Sequence, residues 1–242
     1  MQDTSTVITK FKNLCSEIID IDRRKVSQYP QVTLLGRDCY LWDEYVIKSS
    51  PGIWNFKTTH EINMLKHINS EVKTNQFPLL LSEYRYKNRD FMLLPYIPFL
   101  NLHDSLYKNR LRGFKLTPKV ISKLKKESES ILDSLAKLNI IHRDISPSNI
   151  LLNPLTNDMI LIDFGYAVFQ GNEIKPPNKE AKTLLENALK NSLGGDYRHP
   201  SNHFTFESDK YAMEKIIFEL TQLSPWFRLP KPLSSIFGLH KN

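Results

Sequence analysis

Transfer of a phosphoryl group needs a carboxylate to orient the attacking hydroxyl, a carboxylate and a carboxamide to hold a divalent cation on the phosphates, and an ammonium or guanidinium on the phosphate oxygens. The chain carries each of these types beside short apolar runs. HRDISPSN (142–149) puts Asp144 and Asn149 in one loop between NII and ILL, Asp163 follows MILI and precedes Phe-Gly, and Lys48 closes the run Tyr45-Val46-Ile47. Taken singly, Asp144 and Asn149 read as turn residues, because short polar side chains satisfy loop backbone. Lys48 alone reads as a solvated strand lysine, and Glu61 as an exposed helix charge. It is the combination that points to chemistry.

Those side chains need elements to hold them. QVTLLG, CYLWD and EYVIKS are short segments rich in β-branched and aromatic residues, broken by Gly36-Arg37-Asp38, and they predict strands of an antiparallel sheet. FPLLLSEYRY and DFMLLPYI predict two more, joined by the polar turn KNR. Helical spacing appears over 4–26 (Val7, Phe11, Leu14, Ile18), in FKTTHEINMLKHI with Thr58 or Thr59 as a cap, over 118–138 and over 209–220. The first helix is expected to pack on a neighbouring lobe, with a membrane surface as the other use of its apolar stripe. The order is a β-rich first third and a mainly helical remainder, an α+β class.

With these residues in place the chain resembles the eukaryotic-type protein kinase family, through YVIK (45–48), Glu61, HRDISPSN (142–149), DFG (163–165) and SDKYAMEKIIFEL (208–220). The resemblance implies a bilobal fold: an N-lobe over 1–95 with a sheet and one main helix, and a mainly helical C-lobe over 96–242 lacking the family's last helices. It implies ATP and Mg²⁺, with Mn²⁺ as a substitute, as cofactors. Asp144 would be the catalytic carboxylate, Asn149 and Asp163 the metal ligands, and Lys48, paired with Glu61, the α/β-phosphate lysine. Gly36, Leu94 as gatekeeper, the Tyr96 backbone and Leu151 would line the nucleotide site. His142 would stack with Phe164 and Leu65 in a structural role, and Asp209 would hold the catalytic loop by its backbone.

The pattern also departs from the family. The phosphate loop keeps one glycine, Gly36, with Arg37 as a substitute cation, and the lysine usual two residues after the loop aspartate is Ser146. GGDYRHPS resembles the end of an activation segment with Ser201 where the family has glutamate, and the absence of its arginine-bearing helices matches that change. Arg143 implies a phosphorylated activation segment, with Thr183, Ser192 and Tyr197 as acceptors and Lys175 and Lys179 nearby. A Ser/Thr-directed protein kinase is the leading reading. A pseudokinase scaffold is favoured by the sparse glycines and Ser146, whereas the five retained polar positions favour catalysis. A small-molecule kinase is disfavoured by Arg143, because those groups carry His-Gly-Asp.

Composition agrees with this. In 242 residues the net charge is +7, which suits a polyanion such as nucleotide phosphate, but the basic residues are dispersed, which argues against nucleic acid as the main partner. The apolar run at 91–100 is too short to span a bilayer and contains two prolines. Two cysteines, Cys15 and Cys39, give no disulfide framework, and the first residues carry no apolar leader, so a cytoplasmic address is expected. The expected partners are a protein substrate and a protein that completes the short C-lobe.

Overall fold

The computed structural model describes residues 4–20, 32–36, 38–103, 116–153, 155–191, 193–201 and 203–223. Arg37, Ser192 and the stretch of the expected first helix beyond Asp20 lie outside the described residues. Five strands, β1 (Thr33–Gly36), β2 (Cys39–Trp42), β3 (Tyr45–Lys48), β4 (Ser82–Tyr86) and β5 (Arg89–Pro95), form an antiparallel sheet in the spatial order β1-β2-β3-β5-β4. The β4–β5 turn has positive φ at both Lys87 (46°) and Asn88 (60°), the backbone whose twist matches that of the flanking strands.

Side-chain alternation along β5 divides its two faces between two helices. Phe91 and Leu93 pack with Val7, Phe11, Leu14 and Cys15 of α1 (Thr4–Asp20), so the apolar stripe of α1 is spent on the outer face of the sheet. Met92 turns the other way, toward Ile62, Met64, Leu65 and Ile68 of α2 (Asn55–Glu71). Full burial of a side chain such as Phe11 stabilises by about 2–3 kcal/mol.

The start of α2 differs from the expectation. The helix begins at Asn55, directly after a 3-10 turn (Gly52–Trp54), and no side chain caps it. Thr58 and Thr59 lie inside its first turns, where Thr58 Oγ1 accepts the Ser50 N–H at 2.8 Å and Thr59 Oγ1 donates to the Asn55 carbonyl at 3.1 Å. Asn55 instead clamps the helix to β5: its Nδ2 donates to Asp90 Oδ2 at 3.0 Å and its Oδ1 accepts the Asp90 N–H at 2.7 Å. That reciprocal pair fixes the approach of α2 to the sheet, and with it the direction of Glu61.

Beyond β5 the chain is mainly helical. α3 (Pro118–Lys137) has proline at its first position and Thr117 as N-cap, accepting the Val120 N–H at 3.3 Å. Its buried face is Ile121, Leu124, Ser128, Ile131 and Leu135. Short strands β6 (Leu100–Asn101), β8 (Ile150–Leu152) and β9 (Met159–Leu161) form one small antiparallel sheet, and β7 (Ile140–Ile141) pairs with β10 (Val168–Phe169). The loop carrying Asp144 and Asn149 therefore leaves β7 and enters β8, and Asp163 follows β9. Next comes α4 (Lys179–Asn191), a helix not anticipated above, with Ala181, Leu185 and Ala188 buried. α5 (Phe206–Leu223) packs on α3 through a face that includes Met213, Ile216 and Leu220. One apolar core runs from α2 and Met92 through α3, the small sheet and Phe164 to α5.

Candidate active site

Lys48, Glu61 and Asp163, from three separate elements, meet at ion-pair distance. The β3–β5 register sets Lys48 opposite Met92 and turns it under the sheet, where its Nζ lies 2.6 Å from Glu61 Oε2 and 3.0 Å from Asp163 Oδ1. Burial works against the charge on Lys48, but the carboxylates of Asp163 and Glu61 outweigh it and hold the ammonium protonated beyond the ordinary lysine range. Asp163, at φ 65°, is pushed up by burial and pulled down further by Lys48 and Lys57, so its carboxyl lies well below the usual carboxylate range. Burial raises Glu61, with Lys48 pulling the other way.

Lys57 is the member of this cluster that sequence reasoning missed. Its Nζ sits 3.2 Å from Asp163 Oδ1 and 3.3 Å from Oδ2, and 4.5 Å from the centre of the Tyr166 ring. A lysine on an amphipathic helix ordinarily reads as solvated, and the one sequence signal was its spacing of one turn from Glu61, which puts both side chains on one face. Two further contacts bind α2 to the turn after Asp163. The Phe164 N–H donates to Glu61 Oε1 at 3.2 Å, and the His60 imidazole is bonded to the Ala167 carbonyl.

The loop after β7 forms the second half of the site. Asn149 Nδ2 donates to Asp144 Oδ2 at 3.0 Å and to the Asp144 carbonyl at 2.8 Å, which directs Asn149 Oδ1 away from that carboxylate. The Gly194 N–H donates to Asp144 Oδ1 at 2.9 Å. Burial raises the Asp144 pKa and the Gly194 N–H opposes the rise. Arg143 is held at φ 71°, in the left-handed region. Asp209 supports that conformation from α5, accepting the His142 N–H at 2.6 Å and the Arg143 N–H at 3.0 Å. His142 is fully buried and meets the Phe164 ring edge-on at 4.8 Å. Its Nε2 lies 3.1 Å from the Ile162 carbonyl and its Nδ1 accepts the Asp144 N–H at 3.3 Å, so the neutral tautomer with the proton on Nε2 fits both partners.

The cleft side of the sheet differs in one respect from the expectation. The Tyr96 N–H donates to the carbonyl of Glu44, the residue before β3, at 2.8 Å and is therefore committed there. Alternation of backbone groups at the end of β5 turns the Pro95 carbonyl to the opposite edge. Leu94 is half-buried opposite Val46, and Leu151 is the half-buried residue between buried Ile150 and Leu152. Gly36 pairs with Cys39 at an irregularity in the β1–β2 register, and a Cβ there would meet nothing within 4 Å. The surroundings of residue 36 are therefore open.

The Asp163 carboxylate and Asn149 Oδ1 are oxygen donors of the kind that hard divalent cations take. Among the described residues no three His, Cys, Asp or Glu side chains gather into a metal cage. None is needed for Mg²⁺, which one or two protein oxygens plus substrate phosphates suffice to hold. Of the expected phosphate acceptors, Thr183 is exposed on α4, whereas Tyr197 is buried with its hydroxyl bonded to Glu219, which withdraws it from modification. The guanidinium of Arg143 lies over the Phe204 ring at 5.8 Å. No described helix is long and apolar enough to cross a membrane.

Comparison with known proteins gives the same direction as the geometry. An Aurora kinase of Saccharomyces cerevisiae is 30% identical over 176 residues, covering 68% of this chain and 43% of that protein. "Probable serine/threonine-protein kinase dyrk2" of Dictyostelium discoideum is 30% identical over 116 residues, 47% of this chain and 12% of that protein. Serine/threonine-protein kinase B of Synechocystis is 29% identical over 110 residues, 46% of this chain and 18% of that protein. The chain thus spans less than half the length of these curated relatives. The model of the protein kinase domain family matches residues 46–232, which include the strand lysine, the loop carboxylate and the Asp-Phe-Gly turn, and the chain belongs to that family.

Proposed function

We propose that the protein transfers the γ-phosphate of ATP to a serine or threonine hydroxyl of a protein, with Mg²⁺ as the required cation. The observation that carries this reading is the shared ammonium of Lys48, 2.6 Å from Glu61 and 3.0 Å from Asp163, because the pairing points a cation at the phosphate end of the cleft. Asp144, held by Asn149 and by the Gly194 N–H, orients the acceptor hydroxyl and takes its hydrogen bond. Asn149 Oδ1 and Asp163 are the residues that hold the cation, whose charge offsets that of the phosphates. The adenine edge meets the Pro95 carbonyl rather than the Tyr96 N–H, with Leu94 and Leu151 against its faces. Gly36 leaves room for the phosphates at the end of β1. The names of two of these relatives, serine/threonine-protein kinases of Dictyostelium discoideum and Synechocystis, support serine and threonine as acceptors.

The test is transfer of label from γ-labelled ATP to a mixed protein substrate, with Mg²⁺ and with Mn²⁺, by the wild type and by Asp163→Ala. The expected result is incorporation by the wild type and its loss in the variant. Equal incorporation by both would remove Asp163 from the reaction, and none by either would leave the fold as a binding scaffold.

A further inference from the structure

Lys57 belongs to none of the family's motifs, yet its ammonium contacts both oxygens of the Asp163 carboxylate. It lies 3.2 Å from Oδ1 and 3.3 Å from Oδ2, beside the Lys48 ammonium, which is 3.0 Å from Oδ1. The approach is built into the backbone. A Cβ on Gly165 would lie 2.2 Å from Lys57 Cε and 2.5 Å from Cγ, so the lysine stem crosses the turn only because residue 165 has no side chain. The Tyr166 ring stands 4.5 Å from the ammonium and favours a cation there.

The charges already balance. Two ammonium groups, Lys48 and Lys57, face two carboxylates, Glu61 and Asp163. A bare divalent cation approaching Asp163 meets an ammonium on the oxygens it needs, and like charges in a half-buried site repel strongly. A cation arriving on a polyphosphate brings replacement partners, because phosphate oxygens can accept from the displaced ammonium.

We propose that Lys57 is an internal counter-ion that occupies the cation position at Asp163 and makes divalent-cation binding conditional on nucleotide; this rests on the function proposed above. Sites coupled in this way are coupled reciprocally, so Lys57 also sets how strongly the cation tightens nucleotide binding.

Electron paramagnetic resonance of free Mn²⁺ tests this on the full chain, with and without a non-hydrolysable ATP analogue, for the wild type, Lys57→Met and Lys57→Arg. Without nucleotide, Lys57→Met is expected to bind Mn²⁺ about tenfold tighter than the wild type or more, because one repelling charge is gone. Lys57→Arg keeps the charge and stays near the wild type, and the enhancement of Mn²⁺ binding by nucleotide shrinks in Lys57→Met by the same factor. Lys57→Gln carries the same expectation and serves if methionine impairs folding. If the wild type binds Mn²⁺ with nucleotide but the neutral variants bind Mn²⁺ alone no tighter than it does, the inference falls and the proposed function stands. Absence of Mn²⁺ binding by every protein, nucleotide present, overturns both.

Discussion

Glu61 bridges Lys48 and Phe164: its Oε2 lies 2.6 Å from the lysine ammonium and its Oε1 accepts the phenylalanine N–H at 3.2 Å. One buried carboxylate on α2 thereby fixes both the strand lysine and the turn that carries Asp163. Removing it leaves two ammonium groups around a single carboxylate, and a buried charge stripped of its partner costs about 3–5 kcal/mol. Glu61→Ala is expected to lower the unfolding free energy by about that amount. Glu61→Gln, which retains an acceptor for Phe164, should lose less. Urea unfolding of the three proteins measures the difference, and equal midpoints would show that the bridge adds nothing to stability.

Asp209 acts on the loop from behind. Burial pushes its pKa up to about 7, against the pull of the His142 and Arg143 N–H groups. Asp209→Ala strands both donors, and a buried unsatisfied donor costs about 1–3 kcal/mol. The expected outcome is a loss of about 2–4 kcal/mol, together with fast hydrogen exchange at the two amides. Unchanged protection of those amides would mean that another group holds the loop.

Burial lowers the His142 pKa from 6.5 to about 4, so the folded protein keeps this imidazole neutral where the unfolded chain protonates it. The sign follows from proton uptake. Above pH 6.5 neither state binds the proton and the stabilisation is full; as pH falls from 6.5 to 4 the unfolded state alone gains a proton, and stability is lost by about 3 kcal/mol. Asp209 shifts in the opposite sense over much of the same range, so the observable is the difference between the wild type and His142→Phe, which cannot titrate there. That difference should move by about 3 kcal/mol in favour of the variant between pH 7 and pH 4. A constant difference would place a proton on His142 in the folded state as well.

Much of this architecture was legible in the residues because the relevant signals are local. Segments rich in β-branched and aromatic residues marked β1, β2 and β3, and helical spacing marked α2, α3 and α5, since each buries one apolar face. The polar positions were legible through their motifs. Their meeting is tertiary, decided by the Asn55–Asp90 clamp and by the β3–β5 register. α4 was not read from the residues although Ala181, Leu184, Leu185, Ala188 and Leu189 recur at helical spacing, because its stretch lies between the Asp-Phe-Gly turn and GGDYRHPS, where the resemblance implies a loop. Lys57 escaped because nothing local marks a helix lysine as buried. The committed Tyr96 N–H was a matter of strand parity, which the residue types around it do not encode.

α4 seats Ala181, Leu185 and Ala188 in one apolar cluster with Phe56, at the root of the same helix that carries Glu61, and with Trp54 packed alongside. Any swing of that helix that draws Glu61 off Lys48 has to part those apolar surfaces too. Order in the segment after the Asp-Phe-Gly turn and closure of the lysine–glutamate pair are therefore two readings of a single mechanical coordinate, with greasy packing as its latch.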